Sequence, residues 1–220
     1  MLHYRWWVTS YAAVLWDLDG TIVDTEPLWM AAEKEVALRH GKKWSEADGL
    51  ALVGNSLMAS GAYISERIDG AMTAAEIVDF LVGRLTDSLS GHIDWRPGAR
   101  ELITALDATD VPQALVTMSW ARIAEPIAAQ LPFGAVVTGD AVSRPKPHPD
   151  PYLLAAERLS VDATKCLAIE DSRTGAASAT AAGCDVLVVP HYVSVPEAPR
   201  RVQRPTLEGL TPADLDKLFA

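Results

Sequence analysis

Asp17 and Asp19 stand one residue apart where an apolar run, Ala12-Ala13-Val14-Leu15-Trp16, stops and Gly20-Thr21 follows. Carboxylates at the exit of a buried strand cost free energy unless something compensates them. Two further apolar runs end in polar residues. Ala114-Leu115-Val116 leads to Thr117, Met118 and Ser119, and Cys166-Leu167-Ala168-Ile169 leads to Glu170 and Asp171. Lys146 lies between, in a loop stiffened by Pro145, Pro147, Pro149 and Pro151. Carboxylates gathered on one rim repel one another unless a cation joins them. Oxygen-only donors suit Mg²⁺, which keeps several waters and also takes phosphate oxygens. Asp17 and Asp171 are the natural side-chain ligands, and Gly20 permits the tight turn by which backbone approaches a ligand.

These residues meet only if the runs are strands of one sheet. Residues 11–16, 113–118, 134–139, 165–170 and 185–189 read as buried parallel strands. The stretches between them carry helical spacing: 99–109 places Leu102, Ile103 and Leu106 on one face, and 151–160 does likewise. Asp150-Pro151 reads as an N-cap and first helical residue. Gly183 closes a helix that starts near Ser172. The alternation predicts an α/β fold, a doubly wound parallel sheet that binds ligands at the carboxyl ends of its strands. From Thr25 to Trp95 the patterns are helical with no convincing strand, and Pro97-Gly98 marks the return. The expected organisation is a Rossmann-like core of residues 1–24 plus 96–220, with an α-helical cap, 25–95, inserted after the first strand.

The chain has 220 residues, 49% of them apolar, and a formal charge of −10. That balance argues against a nucleic-acid or anionic-membrane surface, while leaving room for an anionic small molecule held by local cations. Cys166 and Cys184 read as small buried hydrophobes rather than as a disulfide or zinc framework. The five histidines form no metal-ligand spacing. No run approaches the roughly 20 apolar residues of a membrane span, and the N-terminus has no clear cleavage pattern, so a cytoplasmic protein is expected. A capped core of this size can work as a monomer, which is the expected state. Trp6-Trp7 is read either as a packing extension or as a loose tail.

Asp-Leu-Asp-Gly-Thr (17–21) after an apolar strand, Thr117 after the second, Lys146 in Arg-Pro-Lys-Pro and Glu-Asp-Ser (170–172) resemble the four motifs of the haloacid dehalogenase superfamily. The helical insertion is similar to the first cap class of that family, as in its β-phosphoglucomutase-like branch. The resemblance implies that Asp17 attacks phosphorus and forms an aspartyl-phosphate, and that Asp19 protonates the leaving oxygen and then activates water. It further implies that Thr117 and Lys146 bind phosphoryl oxygens. Mg²⁺ would be held by Asp17, Asp171, the Asp19 backbone carbonyl and Glu170, the last directly or through water. Each residue alone has a plainer reading: a solvated loop lysine, a strand-end threonine, an N-cap cluster at 170–172. Together, and in order, those readings require four coincidences.

Asp19 favours phosphoryl transfer from oxygen; the resemblance places an aromatic residue there in dehalogenase-like sites and alanine in phosphonatase-like ones. Mutases of the branch carry a histidine where this chain has Trp29, and basic residues where it has Val53 and Leu57 near Gly54. The expected activity is therefore Mg²⁺-dependent hydrolysis of a small phosphate monoester of a sugar, polyol or related metabolite. The alternatives are a sugar-phosphate mutase and a non-catalytic phosphate-sensing module. Thr25, Trp29, Asn55, Ser56, Met118 and Ser119 are candidate substrate-facing residues, and Trp29 reads equally as cap core.

Overall fold

The computed structural model describes residues 10–219, so Trp6-Trp7 lies outside the described residues. The chain runs β1 (Ala13–Trp16), α1 (Glu26–Arg39), α2 (Glu46–Leu50), α3 (Leu57–Arg67), α4 (Ala74–Leu89), α5 (Ala99–Asp107), β2 (Gln113–Val116), α6 (Ala121–Ala128), β3 (Ala135–Val137), α7 (Asp150–Arg158), β4 (Cys166–Glu170), α8 (Arg173–Ala181), β5 (Asp185–Val188), β6 (Arg201–Gln203) and α9 (Pro212–Leu215). Among the described residues the strands form one six-stranded sheet in the order β3-β2-β1-β4-β5-β6, with every pairing parallel. The order reverses beside β1, which lies between β2 and β4. That is the switch point where open α/β sheets bind ligands.

The strands read as unbroken apolar runs because both faces are covered. In β1, Ala13 and Leu15 join the apolar cluster that contains Tyr152 and Ala155 of α7 and Ala176 and Ala179 of α8. Val14 and Trp16 join the opposite cluster, with Leu102, Ile103 and Leu106 of α5 and Ile127 of α6. Trp16 and Gln113 satisfy each other inside this core: the indole N–H donates to Gln113 Oε1 at 3.0 Å, and Gln113 Nε2 donates to the Ile103 carbonyl at 3.0 Å. Cys166 and Cys184 are free and buried, as their setting predicts.

Residues 26–89 contribute four helices and no sheet strand. They bury a third apolar cluster, including Trp29, Val36, Ile64, Ile77 and Leu81, which Ile123 of α6 joins from the core. The chain leaves and re-enters the core side by side: Asp24 N–H donates to the Asp94 carbonyl at 2.8 Å, and Arg96 N–H to that of Ile22 at 2.8 Å.

Several local expectations are corrected. Asp150 is the first residue of α7 rather than its cap, and its carboxylate instead accepts from Arg144 Nε at 2.7 Å and Nη2 at 3.0 Å. Ser56 caps α3, its hydroxyl accepting from Ala59 N–H at 3.3 Å, and it does not line the cavity described below. β6 escaped the sequence reading because three partly exposed residues beside one edge carry no burial pattern. The helix that ends before Gly183 does have Ser172 as its cap, with Gly183 in the left-handed region.

At the return point, Gly98 has φ +81, and a Cβ there would overlap the Leu207–Glu208 backbone. Gly98→Ala should therefore destabilise the fold by on the order of 2 kcal/mol or more. Urea unfolding monitored by tryptophan fluorescence checks this, and an unchanged midpoint would contradict it.

Candidate active site

Lys146 converts the carboxylates at the sheet rim into a connected group. Only 4% of the residue is exposed. Its ammonium donates to Asp17 Oδ1 at 2.7 Å, Glu170 Oε1 at 2.6 Å and the Val116 carbonyl at 2.9 Å, so its three protons each have a partner. Burial opposes the charge, but Asp17 and Glu170 outweigh it and hold the lysine pKa above its ordinary value. Glu170 is fully buried and also accepts from the Tyr152 hydroxyl at 2.6 Å and from Ser172 Oγ at 3.3 Å. A Cβ on Gly175 would fall on this carboxylate, so that glycine leaves room for it.

Asp171 has no such support. Its Oδ2 is buried without a hydrogen-bond partner, and Gly20, at φ +81, gives it space that a Cβ would occupy. Burial, then Asp17 and Glu170, push its pKa well up. Burial and Glu170 likewise raise Asp17, to about 7, with Lys146 pulling the other way. Ligand atoms of Asp17, Glu170 and Asp171 lie within 4.8 Å of one another. Three carboxylates against one ammonium leave two net negative charges when all are ionised. An orphaned buried oxygen, an all-oxygen donor set and that imbalance fit a hard divalent cation.

Asp19 sits above this group in a separate cradle. Oδ1 accepts from the Thr25 hydroxyl at 2.6 Å and from the Trp29 indole at 3.2 Å. Oδ2 accepts from the Thr117 hydroxyl at 3.0 Å and from that of Ser119 at 2.8 Å. Thr117 is thus engaged with Asp19, and its oxygen accepts from Ser119 N–H at 3.0 Å. The sequence pointed to Thr117 through its place after a strand, but its partner depends on how the first loop folds.

A cavity of about 50 Å³ lies between the rim and the helices of residues 26–89. Asp17, Asp19, Lys146, Met118, Ser119 and Asp171 line it from the core, Trp29 and Leu57 from the helices, and Asn55 from the loop between α2 and α3. Trp29 packs in the helical cluster and also lines the cavity, with its N–H reaching Asp19. Asn55 lines the cavity, with its amide nitrogen donating to the Ala51 carbonyl at 3.1 Å. Met118 Sδ accepts from Lys146 N–H at 3.3 Å.

Sequence reasoning missed Tyr152, Glu26 and Glu33. Glu26 and Glu33 also line the cavity, and burial pushes each up to about 8, with Asp19 the next contributor at Glu26. Their signal was present: Glu26, Trp29 and Glu33 recur at helical spacing and so share one face.

A profile of the haloacid dehalogenase-like hydrolases matches residues 14–189. The chain belongs to that family. It is 33% identical over 192 residues to the fructose-1-phosphate phosphatase of Escherichia coli strain K12, covering 81% of this chain and 96% of that one. It is also 33% identical over 184 residues to the bifunctional riboflavin kinase/FMN phosphatase of Arabidopsis thaliana, spanning 81% of this chain but only 48% of that longer protein. Among solved structures, CbbY from Rhodobacter sphaeroides in complex with phosphate superposes with a TM-score of 0.82 at 25% identity, covering 94% of this chain and 99% of that one. This member of the haloacid dehalogenase-like hydrolases carries its buried acidic group within the matched span.

The raised carboxyls give the metal-free protein a defined pH response. A carboxyl whose folded pKa exceeds its unfolded value binds protons more tightly when folded, so its contribution is present at low pH and lost as pH rises through the folded value. With Asp17 at about 7 and Glu26 and Glu33 at about 8, melting temperature should fall between about pH 5 and pH 9. Mg²⁺ should recover part of the loss at the alkaline end, and Glu26→Gln/Glu33→Gln should flatten the decline. Differential scanning calorimetry in chelator tests this; stability constant or rising over that window would contradict it.

Proposed function

We propose that the protein is a Mg²⁺-dependent phosphatase of a small phosphorylated metabolite, acting through an aspartyl-phosphate on Asp17. The observation that carries this reading is the Asp17–Lys146–Glu170 group, with the orphaned Asp171 oxygen beside it and Asp19 at the same cavity. Asp17, Asp171, the Asp19 backbone carbonyl and, directly or through water, Glu170 would hold Mg²⁺. When bound, the metal would offset the charge of the transferring phosphoryl group.

Lys146 orients Asp17 by fixing Oδ1. A carboxylate oxygen of Asp17 attacks phosphorus as the ester P–O bond breaks, and Asp19 delivers a proton to the departing alcohol oxygen. Arrival of the phosphoryl group draws the Thr117 and Ser119 hydroxyls off Asp19 Oδ2, which frees that oxygen for the proton transfer. Asp19 then takes a proton from water, whose oxygen attacks phosphorus, releasing inorganic phosphate and restoring Asp17.

Hydrolysis is preferred to a mutase reaction because the cap side lacks a second anion grip. Trp29 and Leu57 line the cavity where the mutase resemblance calls for basic side chains, and Lys146 is the cation among the lining residues. A cavity of about 50 Å³ holds a few waters. A sugar phosphate therefore enters when the capping helices part from the rim, which breaks the 2.6 Å hydrogen bond from the Thr174 hydroxyl to the Gly54 carbonyl.

Phosphate release from a panel of phosphorylated metabolites should require Mg²⁺. Asp17→Asn should abolish it, and Asp19→Asn should lower kcat by about 10²-fold or more with a smaller change in KM. Wild-type turnover by Asp17→Asn would refute the mechanism. Interconversion of sugar phosphate isomers with little free phosphate would establish the mutase reaction instead.

A further inference from the structure

Glu33 is a buried carboxyl that the chemistry above does not use. It lies on α1, one turn beyond Trp29 and on the same face as Glu26, and lines the same cavity as Lys146. It is 4% exposed, and its Oε2 is buried without a hydrogen-bond partner. No ion pair to Glu33 occurs among the described residues, so the fold draws no electrostatic benefit from it. A buried polar atom left without a partner costs free energy that a bound ligand can recover.

The surroundings restrict that ligand. The rest of the cap-side lining comprises Leu52, Leu57 and Leu81, the Ser60 hydroxyl, Asn55 and the Glu26 carboxyl. Lys146 brings the positive side chain to the lining, and its protons are committed to Asp17, Glu170 and Val116. A second phosphate or a carboxylate on the substrate would be buried beside acidic groups with no cation to receive it, whereas hydroxyls satisfy Glu33 directly. Trp29 reaches Asp19, and Glu33 lies about 6 Å further along the helix axis at 1.5 Å per residue. A leaving group several carbons long spans that distance.

We propose that Glu33 is the specificity-determining residue of the leaving-group pocket, selecting phosphate monoesters whose alcohol portion is an extended, uncharged polyol and rejecting those that carry a second anion. This rests on the phosphatase reading above. The Glu33 carboxyl hydrogen-bonds a distal hydroxyl, and a second anion is excluded because the lining offers it no free cation.

Three six-carbon monoesters test it with Mg²⁺ present: sorbitol 6-phosphate, hexyl phosphate, which lacks the hydroxyls, and 6-phosphogluconate, which adds a distal carboxylate. Wild-type kcat/KM should favour sorbitol 6-phosphate over each of the others by about tenfold or more. In Glu33→Leu the ratio of sorbitol 6-phosphate to hexyl phosphate should collapse by about tenfold, and Glu33→Gln, which keeps a hydrogen-bonding group, should restore most of it. Equal wild-type handling of the three esters would overturn the inference while leaving the phosphatase reading intact. Parallel loss on sorbitol 6-phosphate and hexyl phosphate in Glu33→Leu would do the same, by marking the residue as structural. No phosphate release from any ester by the wild type would overturn both. Because the wild-type comparison needs no substitution, a variant that fails to fold does not remove the test.

Discussion

One ammonium group ties three strands together at the sheet rim. Lys146 Nζ binds Asp17 at the end of β1, the Val116 carbonyl at the end of β2 and Glu170 at the end of β4. Each partner is unfavourable where it lies: two carboxylates and a lysine, all nearly excluded from water. Removing one member of such a group leaves an uncompensated buried charge, which is strongly destabilising, although the complete group adds little stability over an apolar core. What the arrangement provides is placement. Asp17 projects into the cavity with one oxygen fixed, and Asp171 stands beside it with an oxygen that no protein group satisfies.

The second carboxylate is held from two directions. Thr117 and Ser119 approach Asp19 from the core, while Thr25 and Trp29 approach it from the start of the helical segment. Asp19 is therefore sensitive to the position of α1, and α1 also carries Glu26 and Glu33 into the same cavity. One helix face thus joins the Trp29 contact on Asp19 to the Glu26 and Glu33 carboxyls in the same cavity.

Much of this was legible in the sequence because buried parallel strands leave a plain trace. Runs such as Ala13–Trp16 and Cys166–Glu170 are apolar at successive positions, so the polar residues that end them stand out, and topology collects those ends. Lys146 was readable from its proline-flanked loop, though the atoms it bonds were not. Partners chosen by three-dimensional closeness left less trace. The Thr117–Asp19 contact spans 98 positions and depends on the fold of the Gly20 turn. Asp150 looked like a cap until Arg144 supplied a stronger partner. Glu26 and Glu33 share a helix face with Trp29, which the spacing shows, but nothing in their own segment reveals that their cavity also takes in the rim of the sheet.

The claim on which the account turns is that Asp17 becomes covalently phosphorylated. Acid quenching of the Asp19→Asn protein during reaction with a hydrolysable phosphate monoester and Mg²⁺, followed by peptide mass spectrometry, measures it directly. The account predicts one phosphoryl group on the peptide containing Asp17, located at that side chain and lost on mild alkaline treatment. A phosphoryl group at another residue, or sustained phosphate release with Asp17 unmodified at every quench time, would contradict it.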